Sequence, residues 1–350
     1  MTRPERSERR HSISQDSVSR SLPAFRAAAS TLRVLWAAVA TVLLLAPGLV
    51  HAQGYPVRPV KIIVPFPAGG TADAMPRVFA DWLSRKWGQP VVVENRAGAG
   101  GNVGAETAFK ADPDGYTLLA SPPPPLVINQ NLYQRIGFDP TQFVPMVIMG
   151  RVPNALVLHP NVAANSVAQL IALAKSEPGK LTSATQGNGT TSHLTSELFA
   201  MMAGIKFQHV PYRGSAPALN DLIGGNVDLM FDNLGVSLTL VKGGKLKLLG
   251  VATDKRMAAL PDVPTIAETL PGFESAAWYA FVGPPGTPAA IADKINADVN
   301  EALQQGEIAQ RLAQLSADPM GGTRAATAAY FHQEIERWRQ AIKAADVKMD

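Results

Sequence analysis

An alternation of short β-rich runs with longer helical patterns, from residue 55 onward, constrains this chain more than any other feature. Residues 60–66 are typical of a buried strand, which ends at a turn containing Gly69 and Gly70. A helix is predicted over residues 72–86, with Thr71 as its N-cap. Similar units recur along the chain, and the alternation therefore predicts an α/β fold with a mainly parallel sheet.

The first 52 residues differ in composition from the rest. Residues 1–33 carry seven arginines against three acidic residues, and residues 34–52 carry no Lys, Arg, Asp or Glu. The apolar run over 34–46 is shorter than the roughly 20 residues that a membrane span needs, and it stops at Pro47. This layout predicts a secretory signal peptide over residues 1–52, cleaved between Ala52 and Gln53. Retention of the leader as a membrane anchor is the alternative.

The formal charge of +4 lies in this leader, because the remaining residues hold 25 basic and 25 acidic side chains. A neutral body lacks the basic footprint of a nucleic-acid partner. The chain has no cysteine, which excludes disulfides, thiolate metal sites and a cysteine nucleophile.

Three loops share one form, in which a strand is followed by a Gly- or Pro-containing turn and a Ser or Thr that opens a helix. They cover residues 65–71, 183–192 and 210–215. Backbone N–H groups in the first turn of a helix lack intrahelical acceptors and can bind an anion without a cationic side chain. Such loops gather at the carboxyl ends of the strands, so we expect a ligand site there. Any α/β protein has capped turns of this kind, and each loop also has a purely structural interpretation.

Seven ordered blocks resemble the substrate-binding proteins of tripartite tricarboxylate transporters, known as Bug proteins, and the likeness covers residues 55–345. The blocks are YPVRPVKIIVPFPAGGTAD (55–73), VVVENRAGAGGN (91–102), PDGYTLL (113–119), GNGTTSH (187–193), HVPYRGSAPAL (209–219), VDLMFDN (227–233) and ALPDVPT (259–265).

The resemblance implies an α/β fold of the type II-like periplasmic binding protein class, with two α/β lobes, a ligand cleft and two crossovers near residues 150–154 and 276–282. Lobe 1 would comprise residues 53–153 and 277–350, and lobe 2 residues 154–276. The implied function is capture of a small organic carboxylate in the periplasm by a monomer. The implied partners are the membrane subunits of a tripartite transporter or a sensor ectodomain.

The resemblance also implies a ligand site held by backbone amides and polar side chains from both lobes. Asp73 and Asp232 are interpreted as structural, Asp232 alternatively as the partner of a ligand amine. Arg96 and Arg213 are alternatives as carboxylate clamps. Four consecutive prolines at 122–125 depart from the family pattern and would leave Ser121 as the main donor of that loop. The predicted ligand-binding residues are Phe66, Ala68, Gly69, Gly70, Thr71, Ser121, Asn188, Gly189, Thr190, Tyr212, Ser215 and Asn233.

Enzymatic alternatives find little support in the motifs. The glycines of residues 98–104 lack the dinucleotide-binding spacing, no phosphate-binding GxxxxGK[ST] motif occurs, and no histidine pair has a known metal-site spacing. His193 and Glu197 stand one helical turn apart and are interpreted as a surface or capping pair. A serine hydrolase would have only Ser215 after Gly214 in its favour. No cofactor, metal or catalytic residue is predicted, and the alternative function is a periplasmic hydrolase or a ligand sensor without a transport role.

Overall fold

The computed structural model describes residues 54–345. The predicted signal peptide and its cleavage site lie outside these residues. Among the helices of residues 54–345, none has the length and apolar character required to cross a membrane.

The described residues form an α/β structure, and the strand and helix predicted over residues 60–66 and 72–86 are present within two residues of those bounds. The strands are β1 (Val60–Val64), β2 (Val91–Asn95), β3 (Thr117–Ser121), β4 (Val144–Leu158), β5 (Thr182–Thr185), β6 (Gln208–Pro211), β7 (Leu229–Asn233), β8 (Lys247–Val251), β9 (Ala276–Gly283) and β10 (Asp318–Gly321). The α-helices are α1 (Thr71–Trp87), α2 (Asn102–Phe109), α3 (Val167–Ser176), α4 (Thr191–Ala203), α5 (Ser215–Ile223), α6 (Leu234–Lys242), α7 (Ala289–Leu303), α8 (Gly306–Gln314) and α9 (Arg324–Ala345).

The strands join in one sheet of order β2-β1-β3-β9-β4-β7-β5-β6, with β8 and β10 also paired to β4. Strand β1 is parallel to β2 and β3, and β5 is parallel to β6 and β7. Every pair that involves β4 or β9 is antiparallel. The prediction of a mainly parallel sheet is therefore wrong. The sheet is mixed because these two long strands run against their neighbours.

Strand β4 connects two regions of the sheet. Its first part pairs with β9 and β10, and its last residues, from Asn154 on, pair with β7 and β8. We define the first sheet region as β1, β2, β3, β9, β10 and the first part of β4. The second sheet region comprises β5, β6, β7, β8 and the end of β4. The predicted crossover segments, residues 150–154 and 276–282, lie on β4 and β9 and pair directly with each other.

Separate apolar clusters pack against the two sheet regions. Phe79 and Phe281 belong to a cluster against the first region, whereas Phe199, Phe231 and Phe273 belong to one against the second. All five side chains are buried. Each region is therefore stabilised by its own layer of helices, which places the strand-to-helix loops of both regions where they can face one another.

One helix start and three elements differ from the sequence prediction. Thr71 is not the N-cap of α1, because Gly70 holds that position and the buried Thr71 hydroxyl has no hydrogen-bond partner within the described residues. The elements α6, α8 and β10 were not predicted. Ser166 caps α3, since its hydroxyl accepts from the amide of Gln169.

Candidate functional site

A cavity of about 420 Å³ lies between loops from both sheet regions. The loops after β1 and β2 line it from the first region, and the loops after β5 and β6 line it from the second. Its walls are formed by Pro65, Phe66, Pro67, Ala97, Gly98, Ala99, Gly100, Gly101, Gln186, Gly187, Tyr212, Arg213 and Gly214. The cavity thus lies where the three helix-start loops were expected to meet.

Two helix starts from opposite sheet regions touch each other beside this cavity. A Cβ added at Gly70 would lie 3.3 Å from Cβ of Ser215, and one added at Gly69 would lie 3.4 Å from Cβ of Ala216. Gly70 caps α1, and Ser215 is the first residue of α5. Both helices thus direct the positive ends of their dipoles toward one region, which favours negative charge there.

The backbone amides of the predicted anion-binding loops fall into two groups. The amide of Gly69 donates to the Asp73 carboxylate at 3.3 Å, and that of Gly189 donates to Nδ1 of His193 at 3.3 Å. The amide of Thr190 donates to the carbonyl of Gly187. Within the described residues the amides of Gly70 and Asn188 have no acceptor. Residues 69–71 and 188–190 have six backbone amides. Three of these already donate within the protein, so fewer than six can donate to an anion.

A buried polar network connects the two loops of the second region to β9. One carboxylate oxygen of Asp232 accepts from Nε2 of Gln186 and from the Ser215 hydroxyl, both at 2.7 Å. The Asn233 side-chain oxygen accepts from the Tyr279 hydroxyl and from Gln186, each at 3.1 Å. Burial raises the pKa of Asp232 to about 6 despite these donors. The side chains of Ser215 and Asn233 are thus buried and hydrogen-bonded within the protein, and neither residue lines the cavity.

Other predicted site residues occupy varied positions. Tyr212 lines the cavity, but its hydroxyl donates to Asp221 at 2.6 Å, and burial and this bond raise its pKa to about 12. Thr190 is buried and its hydroxyl caps α4 by accepting from the amide of His193 at 3.4 Å. Asn188 and Ala68 are exposed. Asn188, Ala68 and Thr190 do not line the cavity.

The proline run lies in the interior. Residues 121–128 are all buried, and Pro124–Ile128 form a single π-helical turn. The Ser121 hydroxyl donates to the carbonyl of Pro122 at 2.9 Å, so it is already used within its own loop. Pro125 supports the site indirectly, because its Cγ lies 3.3 Å from where a Cβ at Gly101 would stand.

The other three charged candidates, Asp73, Arg96 and Arg213, have different surroundings. Asp73 accepts from Nε of Arg77 at 2.9 Å and from Asn95, which matches its structural interpretation. Arg96 is paired with Glu94 and lies outside the cavity lining. Arg213 is exposed, lines the cavity and makes no ion pair within the described residues.

The cavity is also lined by the glycine-rich loop of residues 98–101 and by Gln186, none of which is among the ligand-binding residues predicted from the sequence. A Cβ at Gly100 would lie 2.7 Å from the Tyr133 hydroxyl and 3.4 Å from the carbonyl of Asn188, so this loop contacts the second region without room for a side chain. The glycines of residues 98–101 were a signal of such close approach, whereas nothing local distinguished Gln186.

Comparisons with known proteins agree with this architecture. The family described as "Tripartite tricarboxylate transporter family receptor" (TctC) matches residues 75–347. Protein BugT of Bordetella pertussis (strain Tohama I) is 38% identical over 321 residues, which cover 91% of this chain and 98% of BugT.

Two solved structures with bound ligands are also similar. R. palustris Rpa4515 with adipate has a TM-score of 0.82 and 38% identity, and the match covers 84% of this chain and 99% of Rpa4515. MatC (Rpa3494) from Rhodopseudomonas palustris with bound malate has a TM-score of 0.78 and 31% identity, over 82% of this chain and all of MatC.

The fold is therefore the type II-like fold of periplasmic solute-binding proteins, with two α/β lobes and a cleft, as the resemblance implied. The chain belongs to the tripartite tricarboxylate transporter receptor family, which includes the Bug proteins. This family consists of solute receptors that act in the periplasm.

Proposed function

We propose that this protein is an extracytoplasmic receptor that binds a small organic carboxylate between its lobes, without turnover, and delivers it to a tripartite tricarboxylate-type membrane transporter. In this proposal the leader is removed near Gln53. Lobe 1 comprises residues 53–153 and 277–350, lobe 2 comprises residues 154–276, and the receptor acts as a monomer.

The observation that carries the proposal is the contact between two helix starts beside one cavity. The starts of α1 and α5 bring like dipole ends to within van der Waals distance, where a Cβ at Gly70 would lie 3.3 Å from Ser215. An anion bound there accepts hydrogen bonds from uncapped amides and offsets the repulsion between the two dipole ends. The relatives with bound adipate and malate support a carboxylate as that anion.

We assign the carboxylate mainly to the backbone amides of Gly70, Thr71 and Asn188, which have no acceptor within the described residues and which adjoin the cavity without lining it. Phe66 and Tyr212 would lie against the rest of the ligand. The other predicted residues shape or support the site without contacting the carboxylate; they are Ala68, Gly69, Ser121, Gly189, Thr190, Ser215 and Asn233. Arg213 stands at the cavity wall, exposed to water and without an ion pair among residues 54–345, so its contribution to affinity is expected to be small.

Thermal shift and isothermal calorimetry on protein recovered from the periplasmic fraction test this function, and the intact mass of that protein gives its mature N-terminus. The panel consists of mono-, di- and tricarboxylic acids, including adipic and malic acid, each matched with its neutral amide. We expect at least one acid to bind while its amide does not. A ligand at 100 times its Kd should add about 2.7 kcal/mol to the free energy of unfolding.

Two arginine variants then distinguish a backbone anion site from a guanidinium clamp. Arg213→Ala should lower affinity for the identified acid by less than about tenfold, below the 2–5 kcal/mol loss of a buried charge pair. Arg96→Ala is the matched control, since Arg96 lies outside the cavity lining. A large loss in Arg213→Ala alone would replace the backbone site with a clamp. Hydrolysis of esters or amides with no binding of any acid would overturn the receptor function itself.

A further inference from the structure

Three potential metal ligands converge in the second sheet region, outside the cavity described above. His193 and Glu197 lie one turn apart on α4, and His209 lies on the neighbouring strand β6. Nε2 of His193 lies 3.5 Å from a carboxylate oxygen of Glu197, and Nδ1 of His209 lies 3.2 Å from the same oxygen. One ligand atom from each residue falls within 4.8 Å of the others.

These separations match the edges of a metal coordination tetrahedron. A tetrahedral ion with metal–ligand bonds of about 2.0–2.1 Å has ligand atoms about 3.3–3.4 Å apart. The two measured separations lie on either side of that value. The imidazole rings stand almost perpendicular, at 83°, with centroids 5.0 Å apart. The two rings are therefore not stacked face to face.

The surroundings of His209 have the form of an outer coordination shell. Its second nitrogen, Nε2, lies 3.0 Å from the Ser196 hydroxyl, which in turn lies 2.8 Å from the Ser183 hydroxyl. Both serines are fully buried. A histidine that binds a metal through one nitrogen usually donates from the other, and Ser196 is placed to accept that proton and hold the ring in position.

We propose that His193, Glu197 and His209 form a binding site for a divalent transition metal ion of the zinc type. Three protein ligands leave a fourth position for water or a small anion. A surface cavity of about 340 Å³, lined by Glu197, His209, Met201 and Lys206 among others, gives this position access to solvent. The site lies outside the carboxylate cavity, and the proposal does not rest on the proposed transport function.

Occupation of the site would alter one contact of the second loop. The Gly189 amide donates to Nδ1 of His193 at 3.3 Å, whereas a metal on Nε2 places the imidazole proton on Nδ1. The metal therefore displaces this long hydrogen bond and releases the amide. Faster hydrogen exchange at Gly189 on metal addition is a specific sign of binding through His193.

Competition between the purified full chain and a chromophoric chelator for Zn²⁺ tests the site, and the absorption of bound Co²⁺ reports the coordination number. We expect the wild type to bind one Zn²⁺ and His209→Gln to bind it with an affinity lower by more than about 100-fold. Ser196→Ala should reduce it about 10- to 100-fold, as for other outer-shell partners. The control is His332→Gln, which changes an exposed histidine elsewhere.

Glu197→Gln, which is nearly isosteric, is the second test variant and replaces a histidine variant that fails to fold. Far-UV circular dichroism verifies that each variant is folded. Four-coordinate Co²⁺ spectra in the wild type that disappear in Glu197→Gln support the site. Equal Zn²⁺ uptake by wild type, His209→Gln and Glu197→Gln overturns it, as does octahedral Co²⁺ in the wild type. Carboxylate binding is measured separately, so failure here leaves the proposed function unaffected.

Discussion

At the scale of single residues, the ionisation of Asp232 links stability to pH. Its carboxyl group is fully buried, and its second oxygen has no hydrogen-bond partner within the described residues. Burial raises the folded-state pKa to about 6, above the value of about 3.9 in an unfolded chain. The folded state therefore binds the proton more tightly. The stabilisation that results is complete below about pH 4 and is lost as the pH rises through 6.

Asp232→Asn should remove this pH dependence. Urea unfolding of wild type and variant between pH 4 and 7 measures it, and the wild type should lose roughly 1–3 kcal/mol relative to the variant over that range. Asp221→Asn is the control, because the pKa of the Asp221 carboxyl is lowered by the Tyr212 hydroxyl and its effect has the opposite sign. Parallel curves for wild type and Asp232→Asn would contradict the assigned pKa.

At the scale of elements, two helix caps of similar chemistry serve different purposes. Ser166 caps α3 on an exposed surface, whereas Thr190 caps α4 at the end of the loop that begins with Gln186 and Gly187. Thr190 also donates to the carbonyl of Gly187 at 2.7 Å. Its hydroxyl therefore fixes both the helix start and the loop that lines the cavity.

Thr190→Ala should lower the free energy of unfolding by about 1–2 kcal/mol and also weaken carboxylate binding. Ser166→Ala should cost about 1 kcal/mol and leave binding unchanged. Urea midpoints and calorimetry on the same preparations measure both quantities. Thr190→Ser retains the hydroxyl and should recover most of each loss. Unchanged affinity in Thr190→Ala would mean that the loop holds its shape without the cap.

The same elements show how far the sequence could be interpreted. Helix starts marked by Gly, Pro, Ser or Thr, such as those of α3 and α5, could be predicted because their signals are local. Helix α6 begins at Leu234, immediately after β7, without a turn that marks its start. The pairing of β4 with β9 joins segments more than a hundred residues apart, and local periodicity cannot reveal such a pairing.

The candidate site, like the fold, could be predicted only where the signals are local in sequence. Phe66 and Tyr212 could be predicted as cavity residues from the loop pattern and the family resemblance, and the structure places both on its wall. Ser215 and Asp232 meet across 17 residues, and His209 joins His193 from another element. Tertiary packing determines these contacts, so the i,i+4 pair of His193 and Glu197 gave no sign of a third partner.

At the scale of the whole molecule, β4 and β9 carry the chain between the sheet regions, while the loops before α1 and α5 touch across the cleft. Binding energy from a ligand in the cleft must therefore favour the state in which these loops meet. Gly70 stands at the contact. Its φ of −100° is open to any residue, so a substitution there does not strain the turn. The positive φ of 92° belongs to Gly69.

Gly70→Val should act as a wedge between the lobes. Two added methyl groups where a Cβ already lies 3.3 Å from Ser215 overpack the contact. Overpacking costs about 1–3 kcal/mol, which corresponds to an affinity loss of roughly 5- to 150-fold. Small-angle scattering should show a ligand-induced decrease in radius of gyration in the wild type and a smaller one in Gly70→Val at saturating ligand. Gly306→Val also places valine at a helix start, but its Cβ meets no atom within 4 Å, so it should bind and compact like the wild type. If Gly70→Val compacts fully and binds normally, the two helix starts do not enclose the ligand, and the anion site must lie elsewhere in the cleft.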